Sequence, residues 1–239
     1  IDDDLLQRGR ETYKYADQVI AVSNGLKSVL KNKFKVNAKY IPNIVDTDIF
    51  QLNKFNKTNN NFNFISIGSL IKRKGMDLTI KAFNKVFADQ ANVKLIIIGG
   101  GPEHKNLEKL IKKLNLESRV KLTGRIERTE IAKYFNQSDC FVLASKGETF
   151  GVVFIEAMAS GLPVIATRCG GPEHFIKKEQ GLLIEKNNIE QLSKSMIKMY
   201  NNINDYDSKK ISQMTVEQFS PESVAEQITE VYKGVLDQQ

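Results

Sequence analysis

The chain has 239 residues, a hydrophobic fraction of 41% and a charged fraction of 26%, which are ordinary values for a globular protein with one large domain. No apolar run approaches the ~20 residues that are needed to cross a bilayer. The net charge of +7 is not accompanied by a helix-turn-helix, zinc-finger or aromatic RNP pattern, so we expect no nucleic-acid partner. Because the chain begins at Ile1 rather than at Met, we expect it to be a fragment of a longer protein.

The cysteines and histidines are too few and too scattered to suggest a metal site. Cys140 and Cys169 fall in or beside apolar runs and have no metal-ligand spacing. Buried thiols in a reducing cytoplasm are the simplest interpretation of both. His104 and His174 share no motif. We therefore expect no bound metal.

The first fifty residues predict a helix over 4–16 and a strand that ends at Ser23. A capped helix and a short strand follow, and the chain turns at Pro42. The asparagine-rich segment 51–61 is interpreted as a linker or an entry loop.

From Phe62 onward, strands and helices alternate strictly, which predicts a parallel sheet with helices on both faces. The fold class is therefore α/β and Rossmann-like. Six apolar runs are the predicted strands, at 63–69, 93–100, 119–124, 139–145, 164–167 and 181–185. Further helices follow to the C-terminus, where Ser220 can cap the last one and Pro221 suits its first position.

The most informative stretch runs from Glu148 to Pro172. A buried strand leads into a loop with two glycines and a capping-type threonine, Thr149, and then into the apolar-periodic VVFIEAMA. The first turn of such a helix presents unpaired N–H groups and a positive dipole end, which commonly bind phosphate. Glu148 and Glu156 flank this turn with seven residues between them, so both can reach one extended ligand. For an isolated pair of glutamates, a helix cap and a solvated helix residue would be the simpler interpretation.

A basic loop, GSLIKRKG at Gly68–Gly75, follows the first strand of the alternating region. Gly68 permits close approach of a ligand to the backbone, and Arg73 and Lys74 can neutralise a diphosphate. An ordinary solvated loop is the alternative. The GGGPEH turn at Gly99–His104 lacks the third glycine of a dinucleotide-binding fingerprint.

The whole string from Glu148 to Pro172 resembles the signature of retaining glycosyltransferases of family 4, the glycosyl transferases group 1 set. The two glutamates, the FG at the helix start, EAMA and GLPV all agree with that signature, and Asn43, Asp46 and Phe50 match the family frame that precedes its interdomain linker. The resemblance implies the C-terminal half of the two-domain GT-B architecture. Residues 1–50 would be the tail of the N-terminal acceptor domain with the linker, 51–220 the nucleotide-sugar-binding domain, and 221–239 a helix that crosses back towards the first domain.

The resemblance also implies an activity. A hexosyltransferase would transfer a sugar from a nucleotide-sugar donor, such as a UDP-sugar, to a growing glycan or a lipid-linked acceptor with retention of configuration. This chain would be its donor-binding part and would be inactive without the N-terminal domain of the same protein. Bacterial cell-envelope polysaccharide synthesis, in the cytoplasm or peripherally on the inner face of the cell membrane, is the expected setting. A non-catalytic nucleotide-binding module and a GT-B epimerase stay open as alternatives, and an oxidoreductase is disfavoured.

Three residues receive catalytic roles from the resemblance. Lys74 and Arg73 would hold the diphosphate, and Glu148 would accept hydrogen bonds from the donor sugar. Ser69 stands where the family has an arginine, and our hypothesis is that Arg73 replaces it. Without an Asp-x-Asp metal motif, these cations and the helix dipole would stabilise the leaving diphosphate, so no metal cofactor is expected.

The resemblance also assigns residues that bind the nucleotide. Glu156 would accept hydrogen bonds from the ribose, the backbone near Ile126 would contact the base, and N–H groups would bind the diphosphate. The full predicted donor-binding set is Gly68, Ser69, Ile126, Phe150, Gly151, Val152 and Glu156. Glu173, in the later GGPEH turn, is expected to have a structural role.

Overall fold

The computed structural model describes residues 3–53 and 61–237. Within these ranges the chain forms two separate parallel sheets, one of two strands and one of six. Most of the predicted asparagine-rich linker, residues 54–60, lies outside the described residues.

The two-stranded sheet lies in the first fifty residues. Its strands pair in parallel, with Val19 opposite Ala38, and they enclose a small core that includes Leu30. The Ser23 hydroxyl accepts a hydrogen bond from the Leu26 N–H at 3.1 Å, which confirms the predicted helix cap. The elements are α1 (Asp3–Tyr13), β1 (Val19–Ala21), α2 (Asn24–Val29), a π-helical turn (Leu30–Phe34) and β2 (Ala38–Tyr40).

The six-stranded sheet contains every strand that the alternating pattern predicted, and all of its pairings are parallel. Its strands are β3 (Phe62–Ile67), β4 (Val93–Ile98), β5 (Val120–Leu122), β6 (Cys140–Leu143), β7 (Val164–Thr167) and β8 (Gly181–Ile184). The helices between them are α3 (Met76–Phe87), α4 (His104–Lys113), α5 (Arg128–Asn136) and α6 (Val152–Ala159).

The strand order, β5-β4-β3-β6-β7-β8, places a switch point in the middle of the sheet. From β3 the chain adds β4 and β5 on one side of the sheet. It then returns to the middle as β6 and adds β7 and β8 on the other side. Open α/β sheets bind ligands in the crevice at the carboxyl ends of the strands that flank such a point. The loops after β3 and β6 are therefore the expected walls of a binding site.

The core explains why the central strands are mostly apolar. Every residue of β3, β6 and β7 is buried, because helices cover both faces of a parallel sheet. Phe64, Phe141 and Phe154 are among the largest fully buried side chains. Their burial fixes β3, β6 and α6 relative to one another and so fixes the loops that extend from them.

The C-terminal helices are α7 (Ile189–Asn201), α8 (Ser208–Phe219) and α9 (Pro221–Leu236). The Ser220 hydroxyl accepts from the Ser223 N–H at 3.2 Å, as a cap should. Val224 and Val231 of α9 pack against Ile41, so the last helix contacts the first fifty residues. The division into 1–50, 51–220 and 221–239 stays a prediction. Over the described ranges, every helix is too short or too polar to cross a membrane.

Candidate functional site

The basic loop after β3 is held close to the end of β6 by a glycine. A 3₁₀ turn over Lys72–Lys74 ends at Gly75, whose φ of +66° lies in the left-handed region. A Cβ atom at Gly75 would stand 2.1 Å from the Ala144 carbonyl oxygen. Only glycine therefore allows this backbone conformation and this close approach. The consequence is that Arg73 and Lys74 reach the loop after β6.

An ion pair joins the two loops across the crevice. Lys74 Nζ lies 2.6 Å from Glu148 Oε1, and the two side chains are only 16% and 8% exposed. The Arg73 guanidinium donates to the Gly147 carbonyl at 2.9 Å, and the Lys146 N–H donates to the Arg73 carbonyl at 2.7 Å. The structure thus brings together the three residues that were predicted to be catalytic.

Helix α6 begins without a side-chain cap. The residue before it is Gly151, with a φ of +100°, and no described side chain accepts a hydrogen bond as its cap. The suggestion that Thr149 caps this helix is therefore wrong: the chain enters the helix through the left-handed Gly151 instead. Phe150, Gly151 and Val152, where the chain enters α6, line the same crevice as Lys74.

The second carboxylate, Glu156, lies in the second turn of α6. Its Oε1 is 2.7 Å from Arg128 Nη2, and the Arg128 guanidinium carbon lies 5.2 Å from the centroid of the Phe50 ring. Burial raises the pKa of Glu156, and the nearby Asp46 carboxylate raises it further, while Arg128 lowers it. Glu156 therefore belongs to a compact group of charges drawn from three parts of the chain.

These residues line one cleft of about 460 Å³, within the usual size range of small-molecule sites. It brings together nine of the ten predicted site residues: Gly68, Ser69, Arg73, Lys74, Glu148, Phe150, Gly151, Val152 and Glu156. Ile126 is outside this lining and packs partly buried against the core. The individual roles of all ten stay predictions.

Sequence reasoning assigned no site role to several contributors to the cleft. Ile67, Thr149 and Val153 line it beside predicted residues. Val22 and Asn43, from the first fifty residues, line it, and Arg128 pairs with its Glu156. Asn43 could have been predicted, because it matches the family pattern that precedes the interdomain linker. Arg128 could not have been predicted, because it lies 28 residues before Glu156 and only the fold brings the two side chains together.

The turn after β7 lies against the loop after β6, where a Cβ atom at Gly171 would stand 2.2 Å from the Phe150 carbonyl oxygen. Glu173 Oε2 accepts from the Gly170 N–H at 2.8 Å, within a turn that includes a 3₁₀ helix at Pro172–His174. This local contact fits the structural role that was expected of Glu173.

The cysteines differ in exposure. Cys140 is buried, as predicted, whereas Cys169 is only partly buried. Burial raises the pKa of each thiol, which disfavours the reactive thiolate form. Within residues 3–53 and 61–237, no three His, Cys, Asp or Glu side chains are grouped so that they could hold a metal ion. Independence from metal stays a prediction.

Comparison with known protein families identifies the family to which this chain belongs. The pattern of the family described as "Glycosyl transferases group 1" matches residues 48–214, which include both glutamates and the whole basic loop. The chain belongs to the glycosyl transferases group 1 family. The predicted family resemblance is thereby confirmed at this level.

Similar proteins agree with this affiliation. An uncharacterized glycosyltransferase of Methanocaldococcus jannaschii is 36% identical over 200 residues, which cover 82% of this chain and 54% of the relative. The N-acetyl-alpha-D-glucosaminyl L-malate synthase of Bacillus anthracis is 29% identical over 233 residues, 92% of this chain and 60% of that protein. The chain thus spans little more than half the length of these relatives.

A solved structure supports the fold. A mutant of the TarM protein of S. aureus, in complex with Fondaparinux, alpha-GlcNAc-glycerol and UDP, is 28% identical with a TM-score of 0.82, and the match covers 93% of this chain and 45% of that chain. The α/β fold of this chain is the Rossmann-like half of a GT-B glycosyltransferase. The predicted fold class is confirmed.

Proposed function

We propose that this chain is the donor-binding part of a retaining glycosyltransferase that takes its sugar from a UDP-sugar. One observation carries the proposal: the cleft at the switch point of the sheet combines two cations, an uncapped helix N-terminus and two carboxylates. A nucleotide sugar presents the matching groups in sequence, namely sugar hydroxyls, a diphosphate and ribose hydroxyls.

The diphosphate would bind between the basic loop and α6. An ammonium group has three donors, and Lys74 uses one of them on Glu148, so the others can reach phosphate oxygens. The N–H groups of Phe150, Gly151 and Val152 add the dipole end of the helix. As the bond to the sugar breaks, negative charge grows on the leaving diphosphate, and these preorganised donors stabilise it.

The two carboxylates would fix the two ends of the donor. Glu148, beside Lys74, accepts hydrogen bonds from the sugar hydroxyls, and Glu156 accepts them from the ribose. The backbone near Ile126 would contact the base beyond the cleft. In this arrangement the acceptor attacks from the side of the leaving group, which retains the anomeric configuration.

The choice of UDP and of a first sugar to test comes from the similar proteins. The TarM structure contains UDP and alpha-GlcNAc-glycerol by its description, and the Bacillus anthracis relative is named as an N-acetyl-alpha-D-glucosaminyl L-malate synthase. We therefore propose UDP-N-acetylglucosamine as the first donor to test, with a glycan or lipid-linked acceptor.

The remainder of the enzyme would supply the acceptor site. The separate small sheet of the first fifty residues supports their assignment to the tail of an N-terminal domain, and the contact of α9 with Ile41 supports a final helix that crosses back to it. We propose that this chain alone transfers little or no sugar, and that the whole enzyme works in the cytoplasm, peripherally on the inner face of the membrane. Robust turnover by this chain alone would contradict that division of labour.

Calorimetric titration with UDP, GDP and ADP tests the proposal. We expect one of the three, UDP, to bind in the micromolar to millimolar range, and Glu156→Ala and Lys74→Ala to weaken it. Lys72→Ala, an exposed neighbour outside the cleft lining, is the matched control and should leave the affinity unchanged. EDTA should have no effect if donor binding is independent of metal. Absence of binding by all three nucleotides would contradict the proposal.

A further inference from the structure

Arg128 occupies an electrostatically poor position. It is the first residue of α5, where the helix dipole disfavours a cation. The cost is offset by a partner from another element, because Arg128 Nη2 lies 2.7 Å from Glu156 Oε1 on α6. Arg128 thus stands where its own helix dipole is unfavourable and contacts a carboxylate that lines the cleft. This arrangement suggests a role beyond solubility.

Two contacts hold the Arg128 guanidinium. One is the Glu156 carboxylate, and the other is the ring of Phe50, whose centroid lies 5.2 Å from the guanidinium carbon. Phe50 is buried, while the Arg128 side chain is 56% exposed and that of Glu156 is 12% exposed. An exposed ion pair alone contributes little, but a planar guanidinium that is also held over a ring loses less freedom when it binds a carboxylate.

We propose that Arg128 is a positioning residue that keeps the Glu156 carboxylate ionised and aimed into the cleft. The proposal rests on the proposed function, in which Glu156 accepts hydrogen bonds from ribose hydroxyls. A carboxylate has about four acceptor positions, and the Arg128 contact uses one of them. The remaining positions can serve both ribose hydroxyls, whereas a protonated carboxyl would have to donate at one of them.

The surrounding charges show why Glu156 needs this partner. Burial and the Asp46 carboxylate both raise its pKa, and Arg128 is the group that opposes them. The other charged groups that line the cleft are Arg73, Lys74 and Glu148, and Lys74 and Glu148 are paired with each other. Loss of Arg128 would therefore raise the pKa of Glu156 further.

Titration of Arg128→Met with two ligands tests the proposal. Methionine keeps an apolar chain over Phe50 and removes the charge. We expect UDP affinity to fall about tenfold, the size of effect expected for one charged hydrogen bond, and the loss to become smaller as the pH rises and the carboxyl ionises. A 2′,3′-dideoxy analogue of UDP, which lacks both ribose hydroxyls, should bind the wild type and Arg128→Met equally.

Lys133→Met is the matched control, because Lys133 lies on the same helix and forms an exposed ion pair with Glu130. Lys133→Met should change neither the affinity for UDP nor that for the dideoxy analogue. Arg128→Met that binds UDP as tightly as the wild type, or more tightly, would overturn the proposal. So would an equal loss for UDP and for the dideoxy analogue, because the effect would then have nothing to do with ribose.

A second measurement separates failure of this inference from failure of the proposed function. If the wild type binds no nucleoside diphosphate, the proposed function fails, yet the Glu156 carboxyl can still be titrated by ¹³C NMR in the ligand-free chain. Arg128→Met should raise its titration midpoint, and Lys133→Met should not. An unchanged midpoint would show that Arg128 does not control the ionisation of Glu156.

Discussion

The cleft has two ends that use the same chemistry in different ways. At the Lys74 end, formed by Arg73, Lys74 and Glu148, both partners of the main ion pair are shielded from solvent. At the Arg128 end, the cleft residue Glu156 is a shielded carboxylate, and it is paired with a largely exposed arginine that lies over the Phe50 ring. The Lys74 end is set by backbone, through a glycine that brings two loops together. The Arg128 end is set by side chains from three distant segments.

This difference in burial indicates at which end a substitution should cost less stability. Removing one partner of a buried pair leaves an unpaired charge with little access to water, which costs up to about 3–5 kcal/mol. Removing an exposed cation leaves a carboxylate whose protonation can adjust. We therefore expect mutations at the Lys74 end to affect both stability and binding strongly, and those at the Arg128 end to affect binding, with a dependence on pH.

The largest effect should come from Lys74→Ala. It removes a cation from the proposed diphosphate site and leaves Glu148 unpaired, so we expect UDP affinity to fall about 100-fold and the midpoint of thermal unfolding to fall as well. Calorimetry and a melting curve measure the two. The double variant Lys74→Met with Glu148→Leu should recover stability but not binding. Full stability of Lys74→Ala would show that the pair is not shielded in solution.

Gly75→Ala should destabilise the fold by at least about 2 kcal/mol, because alanine is strained in the left-handed region and its Cβ would meet a carbonyl. Urea unfolding measures this. The control is Gly234→Ala in α9, where a Cβ would meet no atom within 4 Å, and where alanine should stabilise the helix by about 1 kcal/mol. Equal effects at the two positions would mean that backbone geometry does not define the Lys74 end.

Glu156→Gln should separate function from stability. Because burial raises the pKa of Glu156, the folded chain holds this proton at a higher pH than the unfolded chain does. The folded state therefore loses stability as the pH rises between the two pKa values, and the loss persists at neutral pH. We expect Glu156→Gln to weaken UDP binding about tenfold and yet to stabilise the chain by roughly 0.5–1 kcal/mol at neutral pH.

That gain in stability should disappear below about pH 4, where the carboxyl is protonated in both folded and unfolded chains. Urea unfolding at several pH values measures it. A wild type that is more stable than Glu156→Gln at neutral pH would mean that Arg128 more than compensates for the burial of Glu156.

Arg73→Ala should have the smallest effect. Its guanidinium is exposed and bonded to the Gly147 carbonyl, so solvent screens its charge, and we expect UDP affinity to fall about three- to fivefold. Titration beside Lys72→Ala measures it. If Arg73→Ala binds UDP as the wild type does while Lys74→Ala is weakened, Arg73 does not replace the arginine that is missing at Ser69.

The two ends also differ in how far the sequence predicts them. The Lys74 end was predictable because its residues lie in loops directly after apolar strands, and the carboxyl ends of β3 and β6 must meet at the switch point of a parallel sheet. The six strands of the large sheet were predictable because they alternate with helical segments along the chain, and because β3, β6 and β7 are buried along their whole length and are mostly apolar.

The Arg128 end was only half predictable. Glu156 followed from its spacing to Glu148, but its partner depends on the fold, which brings the start of α5 within reach of α6 and which no local pattern encodes. The start of α6 was misinterpreted for a related reason. Thr149 is a residue type that often caps helices, yet the chain enters α6 through Gly151 with a φ of +100°, a conformation fixed by tertiary packing.

A crystal structure of this chain with UDP would test the central claim most directly. The account predicts the diphosphate within hydrogen-bonding distance of Lys74 Nζ and of the first N–H groups of α6, with the ribose hydroxyls on the Glu156 carboxylate that Arg128 holds. UDP bound outside this cleft, or bound with its ribose beside Glu148 instead, would contradict the account.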